Sequence, residues 1–165
     1  MDDRTDLSEE RQDEVSSDIQ LDLRTWLKLL TCTTLISGEL RRQLREQFDF
    51  TLPRFDMLAQ LDREPGGLRL GELSKRMMVT NGNLIGLVER LVQEGLVKRE
   101  TDPQDRRAFI VRLSRAGKTK FAAYAKENER LVLSLFDEVD PKTVRALMDN
   151  LALLKASAGR TAERR

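Results

Sequence analysis

Residues 94–117 read EGLVKRETDPQDRRAFIVRLSRAG, and this stretch decides the fold. Gly95 closes an apolar helical stripe and is a natural helix stop. Residues 96–100 and 108–113 then read as two strands. The second alternates Phe109, Val111 and Leu113 against Ile110 and Arg112, and the turn formers DPQD lie between the two. Ser114 is a good cap for another helix. A two-stranded ribbon between helices is the result. Its tip carries adjacent arginines, Arg106 and Arg107, flanked by Asp102 and Asp105, which can hold neighbouring guanidinium groups in place.

Immediately upstream, two short helices are expected. Residues 72–77 turn Leu73 and Met77 inward, a turn follows at Met78 and Val79, and Thr80 caps the second helix. There Leu84, Leu87, Val88, Leu91 and Val92 form the apolar stripe. Two helices joined by a tight turn make a helix-turn-helix. At 100° per residue the polar face of the second helix carries Gly82, Asn83, Gly86, Glu89 and Arg90, with Ile85 on the boundary. Two exposed glycines four apart cost roughly 0.8–1 kcal/mol each relative to alanine. Close approach of another surface would offset that cost.

These residue types suit duplex DNA. An exposed glycine lets a helix backbone lie close in a major groove, and the Asn83 amide matches adenine N6 and N7. Ile85 suits a thymine methyl and Arg90 a phosphate, while Thr80 and Asn81 stand at a helix N-terminus that favours phosphate. An arginine at a ribbon tip suits a narrow minor groove, with Lys98, Arg99 and Arg112 meeting flanking phosphates.

Further out, the apolar residues Ile19, Leu23, Trp26, Leu27, Leu30, Ile36, Leu40 and Leu44 recur at helical spacing, which predicts one long amphipathic helix over residues 19–48. Thr51 and Pro53 open a second helix, which EPGG at residues 64–67 ends. Residues 68–70 fit only a single strand bridge. After Ser114 a long helix carries Phe121, Tyr124, Ala125, Leu131, Leu135 and Phe136. Asp140 and Pro141 open the last, with Val144, Leu147, Met148, Leu151 and Leu154 in period. The terminal helices hold more apolar positions than one small core can cover, which predicts an interface with a second copy.

The chain of 165 residues has a net charge of only +1, but the charge is segregated. Residues 1–22 hold nine acids against two bases, and residues 98–120 hold eight bases against three acids. Concentrated positive charge at the ribbon is the footprint of an anionic partner. With no histidine and one cysteine there is no zinc-ligand spacing, no disulfide framework and no histidine base; no metal or cofactor is expected. Asp102 and Asp105 are the only close acid pair with neighbouring bases, and no phosphate loop or nucleophile-base pair accompanies them, so an enzyme is not expected. Without a signal-like N-terminus or a long apolar run, a soluble cytoplasmic protein is the expectation.

TNGNLIGLVER at residues 80–90, followed by the ribbon, resembles the recognition helix and wing of the MarR (multiple antibiotic resistance regulator) family. The resemblance covers residues 26–156. It implies a mainly α, winged helix-turn-helix homodimer with long N- and C-terminal dimerisation helices, binding an inverted-repeat DNA operator, most simply as a repressor. By position it makes Arg107 the minor-groove residue with Asp105 orienting it, places Asn81, Gly82, Asn83 and Gly86 at the major groove, and leaves Arg106 to phosphate or solvent. At Ile85 many members have a small polar residue. It also implies a small effector, often an aromatic carboxylate or phenol, and the aromatic-acid-catabolism subgroup extends this to coenzyme A thioesters. Trp26, Leu30, Thr33, Arg41, Phe48, Phe55 and Met57 are the candidate ligand residues.

The expected organisation is a disordered acidic arm over 1–18, a dimerisation helix over 19–50, a DNA-binding lobe over 51–116, dimerisation helices over 117–158 and a flexible tail over 159–165. Two alternatives stand beside it. One is a winged-helix protein-interaction module without DNA binding. The other is a redox regulator acting through Cys32, against which the chain offers no histidine to activate the thiol and no second cysteine to resolve it.

Overall fold

The computed structural model describes residues 3–105 and 108–164, with side chains described from residue 19 onward except that of residue 163. Arg106 and Arg107 therefore lie outside the described residues. In chain order the elements are α1 (Asp3–Phe48), α2 (Leu52–Asp62), β1 (Leu68–Arg69), α3 (Leu70–Met77), α4 (Asn81–Gln93), β2 (Val97–Thr101), β3 (Phe109–Leu113), α5 (Arg115–Leu135) and α6 (Pro141–Glu163). The fold is mainly helical with a winged helix-turn-helix, as the sequence predicts. It divides into two compact units, Met1–Asp49 and Phe50–Arg165. Among the described residues no helix is long and apolar enough to cross a membrane.

The first unit is α1. Apolar periodicity places the helix start at Ile19 after a disordered arm, but the helix already begins at Asp3. No glycine or proline interrupts residues 3–37, so the backbone can stay helical without an apolar stripe. Within the helix the hydroxyls of Thr31, Thr33 and Thr34 donate to the carbonyls of Leu27, Leu29 and Leu30 at 2.8–2.9 Å. Asp49 ends it by adopting a left-handed φ of 49°, with its N–H donating to the Arg45 carbonyl. Ile19, Leu23, Trp26, Leu27 and Leu30, on the predicted stripe, are all exposed in the single chain.

In the second unit, the predicted Thr51 cap and Pro53 open α2, and Asp140 and Pro141 open α6. The sheet order is β1-β3-β2, antiparallel throughout, with Leu68 opposite Val111 and Val97 opposite Leu113. The core lies between this sheet and α2–α5, where Leu58, Leu61, Leu73, Leu84, Leu91, Leu96 and Val111 are fully enclosed. Phe50 packs on Tyr124 with ring centroids 4.8 Å apart, and Phe55 on Phe121 at 5.6 Å. One position of the expected stripe differs: Val92 is exposed, because Leu91, one residue before it, already occupies the inward position. The last helix continues to Glu163. Its Leu147, Met148, Leu151, Leu153 and Leu154 are exposed, Met148 by 65%.

Three local devices hold the helix-turn-helix and ribbon in register. Gly95, at φ 70°, closes α4 with its N–H on the Val92 carbonyl, while the Leu96 N–H reaches the Leu91 carbonyl. The same double bond pattern closes α3, from Met78 to Lys75 and Val79 to Ser74, but a methionine holds the left-handed position at φ 54° and is 88% exposed. The third device is a close approach: a Cβ at Gly117 would stand 1.9 Å from the Leu96 carbonyl oxygen.

Substitutions at these positions should move stability in opposite directions. Gly117→Ala is expected to lower it by about 2–3 kcal/mol because neither backbone can yield freely. Met78→Gly is expected to raise it by about 1 kcal/mol by removing left-handed strain. Urea midpoints of the two variants against the parent chain check both signs.

Candidate nucleic-acid interface

The N-terminal turns of α4 present a continuous polar and apolar surface. Thr80 has extended backbone angles and accepts the Leu84 N–H at its carbonyl, but its side chain makes no capping bond. Asn81, Gly82, Asn83, Ile85, Gly86, Glu89 and Arg90 are all exposed, whereas Leu84, Val88 and Leu91 are buried. The predicted two faces are thus present. At Gly82 and at Gly86 an added Cβ would meet nothing within 4 Å, so neither glycine is required by packing inside this chain.

The ribbon places its charges unequally. The Arg99 guanidinium lies over the Phe109 ring at 3.6 Å. Arg112 pairs with Glu100 at 3.2 Å, and so is partly neutralised where a phosphate contact was expected. On the neighbouring elements Arg54 pairs with Glu94, and Arg76 with both Glu64 and Glu72. Leu70 and Arg99 line a small hollow of about 60 Å³ together with Ile85, Val88 and Glu89, so the exposed face of α4 and the root of the ribbon adjoin.

The loop between the strands is organised by Asp102. Its N–H donates to the Ala108 carbonyl at 3.0 Å, and its Oδ1 accepts the Gln104 N–H at 2.8 Å. The Asp105 N–H donates to the Asp102 carbonyl, and the Ala108 N–H to the Asp105 carbonyl at 2.9 Å. Arg106 and Arg107, the expected tip residues, lie outside the described residues, and with them the expected Asp105–Arg107 pairing. Asp102 was expected to hold a guanidinium of its own loop. It instead accepts from Nε of Arg69 on β1 at 2.5 Å. Its carboxylate is only 2% exposed, and the Gln104 N–H first, then Arg69, hold its pKa below the usual carboxylate value. Sequence reasoning missed Arg69 because the pairing spans 33 positions and depends on β1 joining β3.

The candidate ligand residues are dispersed over both units. On α1, Trp26 (58%), Leu30, Thr33 and Arg41 are exposed and Phe48 is half-buried. The Thr33 hydroxyl is engaged by its own helix. In the second unit Phe55 and Met57 are buried, Phe55 against Phe121. Cys32 is exposed on α1. Among the described residues no group of three histidine, cysteine, aspartate or glutamate side chains could hold a metal.

Comparison with known proteins converges on one group. Residues 48–108 match the model of the MarR family. A MarR family transcriptional regulator from Silicibacter pomeroyi is 33% identical, and the superposition covers 85% of this chain and 97% of that one with a TM-score of 0.71. An uncharacterized HTH-type transcriptional regulator from Bacillus cereus is 30% identical over 114 residues, 69% of this chain and 74% of its own. The MarR family regulator Sco3205 from Streptomyces coelicolor, solved in complex with DNA, is 25% identical, covering 86% of this chain and 88% of that one with a TM-score of 0.73.

The Asp102 carboxyl supplies a pH dependence of known sign. Its folded pKa lies below the unfolded value of about 4, so the unfolded chain binds the proton first as pH falls. The stabilisation is complete above that unfolded value and is lost as pH drops through the lowered folded one. Asp102→Asn should therefore flatten the acid limb of the stability-against-pH curve, read as urea midpoints across acid pH.

Proposed function

This chain belongs to the MarR family of DNA-binding transcriptional regulators, and from that premise we propose that it binds an inverted-repeat operator as a homodimer and represses transcription until a small effector releases it. One observation supports the DNA-contacting face above others. Gly82 and Gly86 lie exposed on α4 with open space around them, at a cost to the helix and with no packing reason in this chain. A duplex lying against α4 supplies the reason. In this reading Asn81 and Asn83 meet base edges, Ile85 a thymine methyl, and Thr80 and Arg90 phosphates. Arg107 enters the minor groove with Asp105 beside it, and Arg106 and Arg99 neutralise phosphates.

Dimerisation is supported by the exposed apolar residues of α1 and α6, which water would otherwise cover. A two-fold dimer matches half-sites about one helical turn apart. Repression follows if the bound dimer occludes the promoter. A reporter that falls on deletion of the gene would instead mark an activator.

The proposed effector is an aromatic acid or its coenzyme A thioester, meeting α1 at Trp26, Leu30 and Arg41. It acts by binding two dimer states unequally. Trp26 is the sole tryptophan of the chain and so a direct reporter. A compound that releases the duplex should change its fluorescence over the same concentration range. Release without any change in that signal would remove α1 from the effector site.

The glycines give the sharpest check on the DNA-contacting face. Gly82→Ala and Gly86→Ala should each stabilise the folded protein, by about 0.8–1 kcal/mol, because alanine favours a helix and has room. Each should also weaken duplex binding by crowding the groove. Thermal melts and anisotropy titrations with duplexes selected from a random pool measure the two effects separately. Stabilisation with unchanged affinity would move the DNA off this face, and no duplex binding even at low salt would favour a protein-interaction module.

A further inference from the structure

Arg69, on β1, is firmly placed and makes none of the proposed DNA contacts. Among the described ion pairs that join different elements, Arg69–Asp102 alone combines a buried acid with a largely exposed base, with side chains 3% and 51% exposed. Burying a carboxylate is costly unless it is hydrogen-bonded and paired, and here the Gln104 N–H and the Arg69 Nε do both. The outcome is a guanidinium fixed by its Nε, with its Nη ends unmatched by any carboxylate among the described residues.

The surroundings of Arg69 lead towards the DNA-contacting face. It lines a groove of about 440 Å³ with Gly67, Glu72, Asp102, Gln104 and Ile110. It also lines an adjoining hollow with Leu70, Ala108 and Phe109, the ring on which Arg99 lies. Leu70 in turn shares the next hollow with Ile85 and Glu89 of α4. Arg69, Arg99 and the face of α4 are therefore linked through shared hollows. Glu72, which lines the groove with Arg69 and Asp102, has its Oε1 taken by Arg76 at 2.6 Å.

A duplex that places its major groove on α4 and the adjacent minor groove on the ribbon tip must lay the intervening sugar-phosphate backbone over the ground between them. We propose that Arg69, oriented by Asp102, is a phosphate-binding residue at the loop end of the ribbon, opposite Ile110. This rests on the DNA-binding reading and adds to it a residue on β1 and a positioning acid. An aspartate at a DNA surface would ordinarily repel phosphate. Here it strengthens binding, because an arginine whose fork is already aimed loses less freedom on contact.

The test uses the full chain and a mixed-sequence duplex long enough for two half-sites, titrated by anisotropy across a salt series, with melts recorded for every variant. Arg69→Gln is expected to weaken binding about tenfold and to reduce the log–log salt slope by about 1 per protomer, irrespective of duplex sequence. Asp102→Asn, although it removes a negative charge, is expected to weaken binding too, and to add nothing in the Arg69→Gln background. Arg69→Lys, which keeps the charge and the fold but loses the fork, should retain the slope with lower affinity. Tighter binding by Asp102→Asn, or an unchanged slope for Arg69→Gln while the parent chain binds normally, overturns the inference alone. A folded parent chain that binds no duplex overturns the DNA-binding reading, and this inference with it.

Discussion

The backbone of Gly95 and Leu96 is the point on which the lobe depends. There α4 ends, β2 begins, β3 has just finished and α5 starts. The Ser114 hydroxyl donates to the Gly95 carbonyl at 2.6 Å, and the Ser114 N–H to the Leu96 carbonyl at 3.0 Å. The same hydroxyl oxygen accepts the Gly117 N–H at 2.9 Å, capping α5. Gly117 has no Cβ, and only so can the first turn of α5 lie against the Leu96 carbonyl. Ser114 is itself almost buried, so an unmade bond here would leave polar groups away from water. The helix α4, the ribbon and α5 are consequently joined through one short stretch of paired backbone.

Rigidity at that joint gives meaning to the way charge is distributed around it. Arg54, Arg76 and Arg112 are held by carboxylates of the lobe, Arg76 by one on its own helix as well as by Glu64. Arg99 is held by an aromatic face, which orients a guanidinium without cancelling its charge. Arg69 is held by an acid that is buried while the base is not. The surface is therefore sorted by what each arginine leans on, and net charge near zero is compatible with a strongly positive local field.

Much of this was legible in the sequence because the signals are local. Thr51 with Pro53, Asp140 with Pro141, Ser114 as the cap of α5, and the glycine at 95 are each readable from residues within four positions, and each terminates or starts an element where expected. The two faces of α4 follow from periodicity alone. The differences arise where the deciding partner is remote or the periodic signal is silent. Asp102 reads as a loop acid until β1 carries Arg69 to it. The helix before Ile19 has no apolar stripe to announce it. The candidate DNA-contacting positions on α4 were readable one by one, but the link through Phe109 to β1 was not.

A jointed but stiff lobe also limits how an effector can act. Because α4, the ribbon and α5 share the Gly95–Leu96 joint, tilting the recognition helix alone would break the Ser114 bonds or drive Leu96 into the first turn of α5. Packed elements of this kind shift between discrete arrangements and do not deform continuously. In the proposed dimer, the proposed effector would therefore act by changing the separation or angle of two intact lobes until they no longer match two half-sites on one face of the duplex. The energy for such a change is the difference in effector affinity between the two arrangements, so a compound binding both equally would leave the DNA bound however tightly it held.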